Sequence, residues 1–279
     1  MSWDQTGLKK FNNSNTLESR DYLDRYSKPI EMYVFIDPLC PDCWYFEPYI
    51  KKFSLEYGRF FTIQQILSPS LNRDQLSCRK SSYSSNKFTV SNPWIVSLAI
   101  KAAEIQGKRA GKTFLRKLQE QLFLRSIDIS KEQILMDIAQ EAKLDLEEFV
   151  EDMHSAPARK AFQSDVQLKH EMEIDITPTI VFFNHSNDDQ GIKIVGLYPY
   201  EVYEYILQET LKITPIPSEK PPLEEFLKRH NMVRSKEISI VYDWSLSKTE
   251  KELKKLQFRQ RVNQVNENKR CYWKYRDRE

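Results

Sequence analysis

The sequence predicts an α/β domain that carries a long helical insertion and is followed by a small α+β module. Three observations carry this. An apolar run at 31–36 leads through Asp37-Pro38 into Cys40-Pro41-Asp42-Cys43 and then into helical spacing. A second β-forming run opens at Thr177-Pro178, about 135 residues after Cys43, and most of the chain between them has helical periodicity. Four prolines then fall within eight residues at 215–222, which marks a stiff boundary before a basic C-terminal region.

The elements follow in order. Residues 1–28 are polar and weakly patterned and read as a loose arm, helical at most near 19–26. Residues 31–36 read as a buried strand. Trp44, Phe46, Tyr49, Ile50 and Phe53 then give helical spacing up to Gly58, and 60–67 reads as a second strand. The Ser- and Asn-rich stretch 68–91 is a long polar connection. From 93 to 155 the pattern is helical nearly throughout, with Pro93 suited to a first turn and Ser130 with Gln133 suited to a capping box. A further helix is expected at 158–172, strands at 179–183 and 192–197 around a polar hairpin loop, and a closing helix at 200–211.

The domains are therefore expected at 29–213, with the insertion at about 93–172, and at 223–279 beyond a linker at 214–222. The C-terminal part reads as helices at 223–230, 235–244 and 247–265 and an aromatic strand at 270–275, although 238–242 equally suits a strand. This layout resembles a small winged-helix module.

Bulk properties exclude several classes. The 279 residues are 40% apolar, enough for a packed core. Charge is balanced, 42 basic against 40 acidic residues, so no global field draws the chain to nucleic acid or membrane. With 6 glycines and no phosphate-loop string, a nucleotide cradle is not expected. The four histidines, at 154, 170, 185 and 230, lack metal-ligand spacing. No metal and no cofactor are expected. The polar N-terminus has no apolar signal region and no run is long enough to span a bilayer, so a cytoplasmic protein is expected.

The chemistry concentrates at Cys40 and Cys43. A CxxC between a strand and a helix puts the first sulfur at the helix N-terminus, where unpaired N–H groups and the helix dipole favour a thiolate. The second sulfur lies one turn further on, within reach of a disulfide or mixed disulfide. Cys40 is the expected nucleophile and Cys43 the resolving thiol, with Asp42 partly offsetting the helix effect. Zinc would need two further ligands, and only Cys78, Cys271 and distant histidines are available. Pro48, five residues beyond Cys43, sits where proline normally disrupts a helix.

The set Cys40, Cys43 and Pro48, with Thr177-Pro178 opening a strand, resembles the thioredoxin superfamily. The size of the helical insertion resembles its DsbA-type branch. That resemblance implies a cis Thr177-Pro178 bond beside the two sulfurs, leaving the Thr177 backbone open to an extended partner segment. The string 33–44, YVFIDPLCPDCW, together with the Thr177-Pro178 strand and the aromatic-basic C-terminal region, further resembles the SpxH (YjbH) family of ClpXP adaptors. That family implies a cytoplasmic, non-enzymatic protein that binds the regulator Spx and promotes its degradation, touching the protease indirectly or weakly. Some members carry a His-rich N-terminal stretch linked to zinc; the first histidine here is His154.

Three functions thus compete. The adaptor reading takes the resemblance and the appended module. The alternative is a cytosolic thiol–disulfide oxidoreductase using Cys40 and Cys43. The third is a nucleic-acid binder: residues 219–279 hold 16 Lys/Arg and 10 Asp/Glu, with Lys248, Lys251, Lys254, Lys255, Arg259 and Arg261 on or near one helix. Glu250 and Glu252 interleave with them, so nucleic acid is not the expected partner, nor is a membrane. The run Tyr272-Trp273-Lys274-Tyr275-Arg276 reads as a core-packed strand or an interface hot spot, and Cys78 beside Arg79 and Lys80 as incidental.

Overall fold

The computed structural model describes residues 28–69, 92–184, 191–230, 232–267 and 270–276. The expected N-terminal arm, most of the polar connection containing Cys78, and the hairpin loop with His185 lie outside them. The described chain forms two compact units. One holds the chain up to Tyr45 together with Phe61–Ile213, and the other holds Phe46–Phe60 together with the chain from Thr214 onward.

The first unit is built on a four-stranded sheet. Its strands are β1 (Ile30–Ile36), β2 (Phe61–Leu67), β3 (Thr179–Asn184) and β4 (Gly191–Val195), in the order β2-β1-β3-β4. β1 and β2 run parallel; β3 is antiparallel to both β1 and β4. A strand covered on both faces needs apolar residues at nearly every position. β1 meets this condition: Ile30, Met32, Val34, Phe35 and Ile36 are all buried. Helix α1 (Pro41–Tyr57) makes the parallel crossover, and α7 (Tyr200–Leu211) follows the β3–β4 hairpin.

The insertion comprises α2 (Pro93–Ile105), α3 (Lys108–Arg125), α4 (Glu132–Glu141), α5 (Leu146–Met153) and α6 (Ala156–Glu171). Asn92 caps α2 by accepting from the Trp94 and Ile95 N–H groups, with Pro93 in the first turn. Phe114 and Phe149 meet across α3 and α5 at 5.2 Å between ring centroids. The expected capping box does not form: α4 starts at Glu132, and the Ser130 hydroxyl donates to Asp128 instead (2.6 Å). The Asp128 carboxylate, two residues away, engages the hydroxyl locally instead of leaving it to cap the helix.

The second unit runs α8 (Leu223–His230), β5 (Met232–Val233), α9 (Ser235–Tyr242), α10 (Leu246–Phe258), β6 (Val262–Glu267) and β7 (Arg270–Tyr275), with sheet order β5-β7-β6. Three helices with a small antiparallel sheet make this a small α+β module. The region 238–242 is helical, and two strands appear that the sequence pattern does not reveal. The expected helix over 247–265 stops at Phe258 because Gln260 takes a left-handed φ of 57°. The Arg261 N–H then bonds back to Leu256 and the Gln260 N–H to Gln257, closing a Schellman stop without glycine. β6 begins directly afterwards.

The core of this unit gathers Phe226, Leu227, Ile238, Val241, Leu253 and Trp273, with Leu55 of α1 packed against it. Charged pairs surround it. Lys52 and Lys220 both reach Asp243 (2.7 and 2.6 Å), and Lys220 also reaches Glu56 (2.8 Å). The proline-rich stretch is tied in as well: Ser218 N–H donates to the Glu56 carbonyl (2.7 Å) and the Tyr242 hydroxyl to that of Pro221 (2.8 Å).

Candidate functional site

Everything at the site follows from how β1 ends. Asp37 accepts from the Leu39 N–H through Oδ1 (2.9 Å), an Asx turn, while its carbonyl accepts from the Cys40 N–H (3.0 Å). The turn aims the chain into α1, whose first residue is Pro41; proline suits that position because its missing N–H would have had no partner in the helix. Cys40 therefore stands at the helix N-terminus, and the Trp44 N–H already bonds back to its carbonyl (3.2 Å). Trp44 packs by Phe123 (5.8 Å between centroids) under the guanidinium of Arg116, 4.1 Å from its ring.

From the other side comes the turn before β3. The Thr177–Pro178 peptide is cis. Thr177 is buried, and its carbonyl oxygen lies 3.8 Å from the Cys40 Sγ, although 137 residues separate them in sequence. The Pro178 carbonyl accepts from the Gly196 N–H (2.8 Å). Gly196 has φ +89°, a conformation that a side chain disfavours, so glycine is needed where β4 turns past the proline.

Cys40 and Cys43 are both buried. Cys43 carries a free thiol, so the two sulfurs of the motif are not joined to each other. Burial pushes the Cys43 thiol far above its usual range, and the Asp37 and Asp42 carboxylates add to the effect. Hydrogen bonds from the Asp37 backbone and the Thr177 side chain pull the other way without prevailing. Cys43 is thus held protonated at neutral pH.

The structure accordingly brings Cys40, Cys43, Thr177 and Pro178 into one place. Asp37 belongs with them, although from sequence it reads only as the end of a strand. A local signal for it exists, since an Asx residue two positions before a turn N–H is a recurring motif. Cys271 belongs to the second unit, on β7. Among the described residues no group of three or more His, Cys, Asp or Glu side chains could hold a metal ion. Among them, too, no helix is long and apolar enough to cross a membrane.

A thioredoxin family profile matches residues 33–205, more than half of the chain. The ClpXP adapter protein SpxH of Bacillus subtilis is 44% identical over 267 residues, covering 88% of this chain and 89% of its own length. The chain belongs to the SpxH family. The Bacillus licheniformis member is 42% identical over 93% of this chain and 95% of its own. Among solved structures, one from Nitrosomonas europaea described as a candidate protein disulfide isomerase aligns with a TM-score of 0.53 at 15% identity. It covers 66% of this chain and 97% of that one, and it speaks to the fold alone. The stretch matched by the family profile runs from within β1 into α7 and takes in the four-stranded sheet and the inserted helices, a thioredoxin-like arrangement.

Proposed function

We propose that this chain is an adaptor: in the cytoplasm it binds the regulator Spx and promotes its degradation by the ClpXP protease. The observation that carries the reading is the identity of 44%, spread over nearly the whole length of a relative named as a ClpXP adapter. The protein would act by binding, without turning over a substrate.

The geometry supports this use of the fold. A cis-proline turn at Thr177-Pro178 meets the start of α1, the place at which the resemblance to thioredoxin-type proteins puts a partner's extended segment. Cys43, buried and held protonated, is poorly set to resolve a mixed disulfide, since the thiolate is the reactive form. In this reading Cys40 and Cys43 serve the shape of the site, and any thiol–disulfide exchange by them is accessory.

The test is degradation of purified Spx by purified ClpXP with and without the chain. Faster loss of Spx is expected in its presence, and an unchanged rate would sink the proposal. A chain with both Cys40→Ala and Cys43→Ala should retain most of the acceleration. If that double variant loses it entirely, the oxidoreductase reading takes precedence.

A further inference from the structure

The third helix of the C-terminal module has one face its own fold does not use. Along α10 the residues Thr249, Leu253 and Leu256 are buried, and the two leucines belong to the core of the unit. The opposite side repeats at helical spacing as Ser247, Lys251, Lys254 and Phe258, all exposed, at i, i+4, i+7 and i+11. Lys251, Lys254, Lys255, Phe258 and Arg259 line a shallow open depression, and Glu250 is the one acidic residue on its rim.

Phe258 is the feature in need of a cause. It is 91% exposed, the highest value for any large apolar side chain among the described residues. It ends the helix, just before the left-handed turn at Gln260, and contributes nothing to the core behind it. An aromatic ring held out in water on a regular helix, ringed by cations, has the composition of a binding hot spot. Its flanking charges give it a sign. Lys251, Lys254, Lys255 and Arg259 oppose Glu250, while Lys248 lies over the Trp244 ring at 4.6 Å and Lys255 also pairs with Glu252 at 2.7 Å.

Two kinds of anionic partner suit such a face, and the details separate them. A nucleic-acid duplex takes its nonspecific affinity mainly from cations. It would be repelled by Glu250 and Glu252, and it would leave the Phe258 ring wet. An acidic protein segment carrying an apolar side chain satisfies both features at once: its carboxylates meet the lysines, and its apolar group covers the phenylalanine.

We propose that the exposed face of α10, with Lys251, Lys254 and Arg259 around Phe258, docks an acidic protein segment that presents an aromatic or aliphatic side chain. The proposal concerns a surface of the second unit and does not rest on the adaptor reading.

The experiment uses the full chain. A random-peptide display library is selected on it and, in parallel, on a variant carrying Phe258→Ser, Lys251→Glu and Lys254→Glu. All three positions are exposed, so thermal melting of the variant should match the parent and certify its fold. Expected is enrichment of peptides rich in Asp and Glu with at least one Phe, Trp, Leu or Ile on the parent, lost on the variant. A selected peptide, fluorescently labelled, should bind the single variant Phe258→Ser about tenfold more weakly. It should also weaken, without vanishing, as salt is raised. Peptides enriched equally on both proteins, peptides without the acidic and apolar combination, or no enrichment at all would each overturn the proposal. So would a mixed-sequence DNA duplex whose binding is lost in the same variant, since that would make the face a nucleic-acid surface.

Discussion

At the scale of single residues, one buried charge cluster decides how firmly the insertion sits on the sheet. Lys101 of α2 and Asp165 of α6 pair at 2.7 Å with almost no exposure, Glu104 joins at 2.8 Å, and Asp165 also accepts from the Leu67 N–H at the end of β2 (2.8 Å). Burial pushes the Asp165 carboxyl up against the pull of Lys101. Removing only one partner strands a charge in the interior. Lys101→Met should therefore cost about 3–5 kcal/mol, measured by urea unfolding. The double change Lys101→Met with Asp165→Leu should recover much of that loss. None of this is legible in the sequence, since Lys101 falls in an apolar helix face and looks like a surface residue at its edge. The cysteines are legible, because the chemistry of a CxxC depends on local spacing. Asp37 escapes for the opposite reason: its influence on Cys43 is exerted through space.

At the scale of elements, helix ends account for most of the differences between pattern and structure. With only 6 glycines in the chain, helices stop on other residues in the left-handed region: Ser126, Lys143, Glu173, Lys212, Asp243 and Gln260. Sequence reading looks for glycine at these stops, so the end of α10 is invisible to it and β6 is absorbed into the helix. Strands β1 and β3 are readable because a continuous apolar run bounded by Asp-Pro or Thr-Pro fits a buried strand far better than a helix. A direct consequence can be measured. Lys143 is exposed with φ 61°, and its N–H closes α4 through Gln140. Lys143→Gly should raise stability by about 0.5–1 kcal/mol by relieving the left-handed cost, seen as a higher melting temperature. Within α10, Leu253→Ala should cost about 2–5 kcal/mol through the cavity it leaves, while Phe258→Ser should leave stability unchanged.

At the scale of the whole molecule, the second unit depends on charges gathered around Asp243. Partial burial works against its carboxylate, but hydrogen bonds from Lys220 and Lys52 overcome this and hold the group below the usual aspartate range. A pKa lowered on folding contributes stability that is present above the unfolded value, about 3.9, and is lost as pH falls through the folded value. This contribution to the melting temperature should therefore hold from neutral pH down to about pH 4 and fall away below it. In Asp243→Asn that acid-dependent fall should shrink, and an unchanged pH profile would contradict the assignment. The proline-rich stretch is legible as a stiff segment. That its residues hold on to Glu56 and Asp243 is not, because those partners lie far away in sequence.

This architecture also bears on how such a protein can be inherited. The helix that opens on Cys40-Pro41-Asp42-Cys43 gives its first residues to one unit, while Lys52, Leu55 and Glu56 further along it complete the other. A gene fusion joined at the prolines would thus carry away a module lacking a wall of its own core and two members of its ion network. The C-terminal module is not a portable cassette, and recombination at the obvious seam would yield two incomplete pieces.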